Sequence, residues 1–233
     1  MMNKYLKCAD VFFLSTKQMA EFAIKTLSIK KTIVDYLHTP AVEPRFFPHV
    51  SHKTFNFVYT GSIYLARKAD YLLKGFEKLL ESYPNSKLQF VGAYIHGQTL
   101  NQCDAQVLSK IEMLPHTDNL DPYYENATAL IDIDADFEND VYLSSKITNY
   151  LMVNRPIISE TGKNSPSRNL FKGINSIIQC DHNPQQLCDA MKKTIEMART
   201  IQYDDRSEVI KLFDVKNVVD KLMNVITKIN NDV

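Results

Sequence analysis

Long apolar runs, a leader-like start and an excess of charge are all missing from this 233-residue sequence. No apolar run approaches the roughly 20 residues that a membrane-spanning helix needs. The opening MMNKYLKCADVFFLS holds only about four consecutive apolar residues, against the 7–15 of a signal peptide. The sequence therefore predicts a cytoplasmic protein without a signal peptide.

Paired cysteines are missing too. The four cysteines, Cys8, Cys103, Cys180 and Cys188, stand far apart and form no CxxC, which argues against a disulfide framework and a zinc site. The 27 basic and 27 acidic residues cancel, so the basic footprint of a nucleic-acid binder is absent. That balance still allows a local positive patch for a small anion.

Strand-like and helix-like segments alternate from Lys53 onward. The helical pattern is clearest between Ala69 and Tyr83, where apolar residues recur every three or four positions. Strands are predicted at 55–60, 87–94, 107–114, 129–133, 155–160 and 175–180, and helices at 123–126, 144–153, 184–200 and 215–230 as well as 69–83. This alternation predicts an α/β fold, a doubly wound parallel sheet with helices on both faces.

The first 52 residues fit that frame less well. Residues 1–37 contain too few strand-like and helix-like segments to bury a core, so they are predicted to be the remnant of a second domain or an added layer on the sheet. Residues 38–52 are proline-rich and are predicted to be a linker. Residues 53–202 then form the main domain and residues 203–233 a pair of C-terminal helices.

Gly61 and Ser62 lie between a predicted strand and a predicted helix. Ligands bind at the carboxyl ends of strands in such sheets, and a glycine before a helix lets the backbone approach a phosphate. A simple turn explains the same glycine. Arg67 and Lys68 are predicted to lie in the first turns of the helix, where cations oppose the helix dipole unless an anion is near. A solvated pair of cations is the alternative.

Ser144, Ser145 and Lys146 begin another predicted helix at the same edge of the sheet. The two serines can cap that helix, and Lys146 again places a cation at a positive helix end. Two helix starts with cations at one edge favour a shared anion, such as a diphosphate.

The acidic run IDIDADFEND precedes this helix. An EF-hand loop is excluded, because Phe137 stands where glycine is needed and Leu143 where glutamate is needed. A DxD pair that holds a metal-bound nucleotide and a solvated acidic loop remain as the two interpretations. GxGxxG and Walker A loops are both missing, and no Ser/His/Asp or Cys/His arrangement is supported by spacing.

These segments together resemble the donor-binding half of GT-B glycosyltransferases of the GT4 type. That family has a strand, a glycine, a basic residue, an amphipathic helix and a strand ending in Val-Gly. The same pattern is present in the stretch FVYTGSIYLARKADYLLKGFEKLLESYPNSKLQFVGA. SSKITNYLMVNRPIIS resembles its Ser-Lys-x-x-Glu-Tyr-Leu-x-x-Gly-x-Pro-Val-Ile segment. ADVFFLSTKQMAEF resembles the end of the acceptor half, and VEPRFFP the interdomain linker.

The resemblance implies a Rossmann-like half that binds a nucleoside diphosphate sugar. Gly61, Lys146 and either Arg67 or Lys68 would surround the diphosphate. The full set of implied donor-binding residues is Gly61, Ser62, Arg67, Lys68, Pro115, His116, Ser144, Ser145, Lys146 and Asn149.

Two departures from the family pattern concern its glutamates. Asn149 stands where the family has a ribose-binding glutamate, and a neutral amide makes weaker hydrogen bonds than a carboxylate. The family's earlier glutamate falls on Val141. Pro115 and His116 would lie by the nucleobase.

The resemblance implies no metal, no other cofactor and no catalytic residue in this sequence. Most of an acceptor domain is missing, so the chain is expected to be an inactive donor half. Joined to an acceptor domain it would be a bacterial-type hexosyltransferase, with room for peripheral membrane association. Two alternatives stay open: a non-catalytic Rossmann-like binding module with a degenerate nucleotide site, and metal-dependent chemistry at the acidic run.

Overall fold

The computed structural model describes residues 8–27, 32–41, 43–48, 54–63, 66–95, 97–197 and 204–231. The strands are β1 Val11–Leu14, β2 Ile33–Tyr36, β3 Phe55–Thr60, β4 Ser86–Val91, β5 Ile111–Leu114, β6 Ala129–Ile133, β7 Ile157–Glu160 and β8 Ile177–Cys180. The helices are α1 Lys17–Thr26, α2 Asp70–Ser82, α3 Gly97–Leu100, α4 Ala105–Leu108, α5 Asp121–Asn126, α6 Ser145–Leu151, α7 Pro166–Leu170, α8 Pro184–Met197, α9 Ser207–Lys211 and α10 Val215–Asn231. A single 3₁₀ turn, Asp204–Arg206, precedes α9.

Six strands form one sheet in the order β5-β4-β3-β6-β7-β8, and every pair in it is parallel. This is the doubly wound order in which the chain starts at the centre and reverses its direction of winding between β3 and β6. The predicted α/β fold is confirmed.

Alternating side chains of the central strands explain why helices cover both faces. Phe57 and Tyr59 of β3 point to one face and pack with α2 and α8, while Val58 points to the other and packs with α6. Where α2 crosses α8, a side chain at Gly75 would come within 2.8 Å of the Leu187 Cβ. The absence of a side chain at Gly75 therefore lets the two helices pack closely.

The N-terminal residues form a second, two-stranded sheet, called here the small N-terminal unit. β1 and β2 pair in parallel, and α1 joins them. Thr16 caps α1 by accepting the Met19 N–H at 3.0 Å, and its hydroxyl donates to the Val141 carbonyl at 2.6 Å. On α10, Lys221 lies 3.2 Å from Asp35 of β2. The assignment of residues 1–37 to a second domain, and the other domain boundaries, stay predictions.

Two predicted elements need correction. α2 begins at Asp70, so Arg67 and Lys68 lie in the loop before it and not in its first turns. The apolar stripe on α2 was visible in the sequence, but the first helical residue had no side-chain cap to mark it. The segment 107–114 is not one strand, because a short helix ends at Leu108 before β5 begins.

The other predicted strands and helices are present, some of them shorter. The predicted helix 184–200 is described as far as Met197, and its last three residues lie outside the described part of the chain. In the described ranges, no helix is both long and apolar enough to cross a membrane.

Candidate functional site

The candidate site lies at the carboxyl ends of β3 and β6, where the winding of the sheet reverses. In doubly wound sheets this crevice is the usual ligand position. Gly61 follows β3 with a φ of +82°, and its N–H donates to the Val91 carbonyl at 2.8 Å. A Cβ at Gly61 would lie 3.3 Å from the Lys146 Cε, so a side chain here would press on the lysine.

Lys146 is the cation at the centre of this edge. It lies in the first turn of α6 and is half-buried, with its Nζ 5.1 Å from the centroid of the Tyr59 ring. Burial lowers the pKa of Lys146, and the nearby Asp132 carboxylate opposes that fall. Within the described chain, no hydrogen bond or ion pair engages the Nζ within 4 Å, so the ammonium is available to an anion.

Asp132, in β6, lies beside this lysine and is almost completely buried. The Ser144 hydroxyl donates to its Oδ1 at 2.6 Å. Burial raises the pKa of Asp132 to about 6, the Asp134 carboxylate adds to the rise, and Lys146 and Ser144 oppose it. Ser144 occupies the N-cap position, but no side-chain capping bond forms, so the prediction that its hydroxyl caps the helix is wrong. The Ser144 hydroxyl donates to Asp132 instead.

Arg67 and Asp134 form an ion pair at the same edge, and all its bonds go to one oxygen. The Oδ1 of Asp134 accepts from Arg67 Nε at 3.2 Å and from the Ala135 N–H at 3.0 Å, and Arg67 Nη2 lies 3.1 Å from it. The Oδ2 is shielded from solvent, and none of the described residues forms a hydrogen bond with it.

A cavity of about 420 Å³ opens in front of the ion pair. The main domain contributes Arg67, Asp134 and Ser145 to its wall, and the small N-terminal unit and the segment after it contribute Ser15 and Thr39. Two aromatic rings complete the wall, those of Phe137 and Tyr142, whose centroids are 6.2 Å apart. The cavity wall therefore combines hydroxyl groups, an ion pair and aromatic rings.

The remaining predicted site residues do not line this cavity. Ser62 and Lys68 are exposed in the loop after β3, and neither lines the cavity. Pro115 and His116 follow β5, where a side chain at Gly92 would meet His116 at 3.4 Å. The role of these two residues beside a nucleobase stays a prediction.

Asn149 is exposed on α6, and its backbone carbonyl accepts the Met152 N–H at 3.2 Å. A role for its side chain in donor binding stays a prediction.

Four residues of the site were not considered as ligand contacts, namely Ser15, Thr39, Phe137 and Tyr142, while Asp132 and Asp134 entered only as part of a possible DxD pair for a metal-bound nucleotide. The sequence carried a signal for the two acids, because a D-x-D pair across the end of a strand puts both carboxylates on one face of the sheet. Nothing in the sequence marked Ser15 and Thr39, which reach the cleft only through the packing of the small unit.

A second cavity, of about 450 Å³, lies at the other end of the sheet and includes Asn56, Lys87 and Gln89 in its wall. It opens at the amino ends of β3 and β4, away from the crevice where such sheets bind ligands. Over the described residues, no group of three or more His, Cys, Asp and Glu side chains is arranged to hold a metal ion.

Comparison with known proteins relates the fold to solved glycosyltransferases. The chain superposes on S. aureus TarM, in a complex with UDP, with a TM-score of 0.75 at 11% identity, covering 95% of this chain and 45% of that one. The pneumococcal O-GlcNAc transferase GtfA gives 0.70 at 13% identity, covering 98% and 47%. Sucrose-phosphate synthase from Thermosynechococcus elongatus gives 0.74 at 11% identity, covering 100% and 61%.

These similarities confirm the resemblance to GT-B glycosyltransferases at the level of the fold, and the fold is that of their Rossmann-like half. The chain spans less than half the length of TarM and of GtfA. No protein-family description and no curated protein matches the sequence.

Proposed function

We propose that this chain is the donor-binding half of a glycosyltransferase, which binds a nucleoside diphosphate sugar for transfer to a hydroxyl acceptor. The observation that carries the proposal is Lys146, a half-buried ammonium that lies against Gly61 at the winding reversal of the sheet, with no hydrogen bond or ion pair within the described residues. Burying a charge without a hydrogen-bonded partner is costly, and the nearby Asp132 carboxylate offsets that cost only in part, because burial still lowers the pKa of Lys146. A diphosphate placed against Gly61 supplies that partner.

Three features around Lys146 support an anion of this kind. Gly61 leaves the backbone open, which lets a phosphate approach closely. Arg67 brings a second positive charge to the same edge, although Asp134 partly neutralises it. When the bond between sugar and diphosphate breaks, charge develops on the departing phosphate, and fixed cations stabilise it electrostatically.

The structural neighbours support the chemical class. TarM and GtfA are both seen with UDP, and a further neighbour, Anabaena HepE, is seen with UDP and glucose. We infer a nucleoside diphosphate sugar as the donor here, with UDP as the first nucleotide to test. Transfer also requires an acceptor-binding half, so we expect this chain alone to bind the donor without transferring the sugar.

Thermal unfolding with a panel of nucleoside diphosphates and nucleotide sugars tests the proposal. A ligand at 100 times its Kd adds about 2.7 kcal/mol, which raises the Tm by roughly 5–10 °C for a chain of this size. We expect one nucleotide to give a shift of this size. Lys146→Met should abolish the shift because it keeps the apolar stem of the lysine and removes only the ammonium.

Lys172→Met is the matched control, since Lys172 is exposed in the connection before β8, away from the candidate site. It should keep the full shift. A panel that leaves the Tm of a well-folded protein unchanged would refute donor binding. Addition of EDTA separates this proposal from metal-dependent chemistry at the acidic run, because binding through Lys146 needs no divalent ion.

A non-catalytic binding module is the second candidate, and Asn149 favours it. The position that carries a charged ribose contact in the resembling family is a neutral and exposed side chain here. This candidate predicts no nucleotide shift, or a shift that Lys146→Met leaves unchanged.

A further inference from the structure

We propose that Tyr150 is a positioning residue of the donor site, which holds Lys146 in register with Gly61. Its hydroxyl bonds to Thr60, the last residue of β3, and so ties α6 to the end of that strand. Tyr150 acts through Lys146 and does not itself contact the donor. The inference rests on the proposed function, because it concerns how the cation of that site is held in place.

The Tyr150 hydroxyl replaces β6 as the hydrogen-bond partner of Thr60. The pairing of β3 with β6 runs no further than Val58 with Leu130. The Thr60 N–H donates instead to the Tyr150 Oη at 2.9 Å, and the two side-chain hydroxyls share a second hydrogen bond, also of 2.9 Å. The side chain of α6 therefore bonds to the backbone at the point where the two strands stop pairing.

Burial makes these two hydrogen bonds important. Tyr150 is completely buried and Thr60 is 6% exposed, so water is not at hand to replace a lost partner. A buried N–H without an acceptor is costly and rare in folded proteins. The end of β3 and the body of α6 are thus held to one relative position, the one in which the hydroxyl meets both groups of Thr60.

Helical spacing carries this constraint from Tyr150 to Lys146. The two residues are four positions apart, so they lie on the same side of α6, one turn from each other. α6 has only seven residues and no side-chain cap at its N-terminus, and helices shorter than roughly 12–15 residues depend on tertiary contacts. Its position on the sheet is therefore set from outside the helix.

Apolar packing alone does not fix that position finely. Ile147 and Leu151 of α6 pack with Val58 of β3 in one buried cluster, but hydrophobic contacts have no preferred direction. A hydrogen bond does, because it weakens steeply when its distance or angle changes. The paired bonds of Tyr150 with Thr60 supply the directional contact between α6 and the end of β3.

The constraint ends next to the place proposed for the diphosphate. Gly61 directly follows Thr60, and a Cβ at Gly61 would lie 3.3 Å from the Lys146 Cε. A hydrogen bond between the ammonium and a phosphate oxygen tolerates only a few tenths of an ångström. A small movement of α6 along the sheet would carry the ammonium out of reach of a phosphate bound against Gly61.

Tyr150→Phe tests the role of the hydroxyl. The substitution keeps the ring, which packs edge-on against Tyr124 with the centroids 6.2 Å apart, and removes both bonds to Thr60. Calorimetric titration of UDP and UMP, or the same pair for whichever nucleotide the thermal panel identifies, measures the preference for the second phosphate. The ratio of the two Kd values is taken on one protein at a time, well below its Tm, so a general loss of stability cancels.

We expect the unsubstituted protein to bind UDP at least about tenfold more tightly than UMP, as one charge-assisted hydrogen bond provides. In Tyr150→Phe the ratio should fall to about threefold or less, because the ammonium no longer meets the second phosphate at bonding distance.

Two substitutions of Thr60 test the other side of the contact. Thr60→Val keeps the shape and the N–H but removes the hydroxyl, so its ratio should fall between those of the unsubstituted protein and Tyr150→Phe. Thr60→Ser keeps both groups and should retain the full ratio. If Tyr150→Phe does not fold, Thr60→Val decides, and an intact ratio there overturns the inference.

Ile195→Val is the control for stability. It removes one methyl group from a residue of α8 that is 1% exposed and packs on the other face of the sheet. It should lower the Tm, as loss of a buried methyl group does, and leave the ratio unchanged. A ratio that falls in Ile195→Val as well would follow stability rather than position, and would overturn the inference.

The remaining outcomes separate this inference from the proposed function. A ratio that Tyr150→Phe leaves intact, or one that Thr60→Ser loses, overturns the positioning role, while binding of UDP by the unsubstituted protein keeps the proposed function. An unsubstituted protein that binds neither nucleotide, or binds UDP and UMP equally, overturns both.

Discussion

Replacing Asp132 with asparagine should stabilise the folded chain at neutral pH. Asp132 is almost completely buried in β6, and its pKa rises from 3.8 to about 6, chiefly through burial. A rise of this size means that the ionised carboxylate weakens the fold by about 3 kcal/mol at pH 7.5. An asparagine has the same shape and no charge, and its amide oxygen can still accept the Ser144 hydroxyl.

The gain from the substitution should depend on pH in a defined direction. The folded protein holds the Asp132 proton more tightly than the unfolded chain does, so lowering the pH from about 6 towards 3.8 stabilises the unsubstituted protein. Above pH 6 the cost of the charge is fully present. The advantage of Asp132→Asn should therefore shrink from about 3 kcal/mol at pH 7.5 to about 1 kcal/mol at pH 4.5.

Urea unfolding at the two pH values measures this advantage as a difference in the free energy of unfolding. Asp134→Asn is an informative comparison, since Asp134 lies only two residues away and is also buried. Its carboxylate is paired with Arg67, so neutralising it should destabilise the fold by about 1–3 kcal/mol at pH 7.5. A neutral or destabilising Asp132→Asn at pH 7.5, or a gain that does not change with pH, would refute the reasoning.

Two further substitutions test the scaffold and the glycine of the site. The guanidinium of Arg206 is 1% exposed and donates to backbone carbonyls of three residues, Val153, Arg155 and Ser176. Arg206→Met should lower the free energy of urea unfolding by on the order of 3–5 kcal/mol. Lys211→Met is the control, since Lys211 forms an exposed ion pair with Glu208, and it should change this free energy by less than about 1 kcal/mol. Similar losses in both variants would contradict a stabilising role for the buried Arg206 hydrogen bonds. Gly61→Ala and Gly173→Ala should each cost about 1–2 kcal/mol, since both glycines have a positive φ, +82° and +84°. Only Gly61→Ala should also abolish the nucleotide-induced Tm shift, because a Cβ at Gly61 meets Lys146 while one at Gly173 meets nothing within 4 Å. If both variants lose the shift, the loss does not report on the contact with Lys146, and the proposed role of Lys146 in binding is contradicted.

Local periodicity was sufficient to predict most of the sheet and its helices. The prediction for β6 matched its bounds at residues 129–133, because a short apolar run between turn signals has few alternatives. The helix α4 was not predicted, since its last residues were assigned to a strand at 107–114, and Arg67 and Lys68 were wrongly placed in the first turns of α2. Asp104 precedes α4 without a side-chain capping bond, and Ala69 precedes α2 in the same way.

The site was predictable only in part, and for a physical reason. The proximity of Gly61 to Lys146 follows from their positions after β3 and at the start of α6, since neighbouring parallel strands end at one edge. The pairing of Ser144 with Asp132 does not follow, because a serine at a helix start is equally suited to cap the helix. Tertiary packing decided between the two acceptors, and the sequence carries no local signal of that outcome.

The two acids of β6 and its carboxyl end lie beside the proposed anion site. Asp134 is paired with Arg67, whereas burial raises the pKa of Asp132, so the ionised Asp132 carboxylate is expected to weaken the fold at neutral pH. Burial acts against the charge of Lys146, and the Asp132 carboxylate acts in its favour. An uncharged residue at position 132 is expected to stabilise the fold, but Lys146 would then lose the carboxylate that most favours its charged form. Asp132 thus costs stability but favours the charged form of Lys146. Such a loss of stability is typical of a binding site rather than of a structural core.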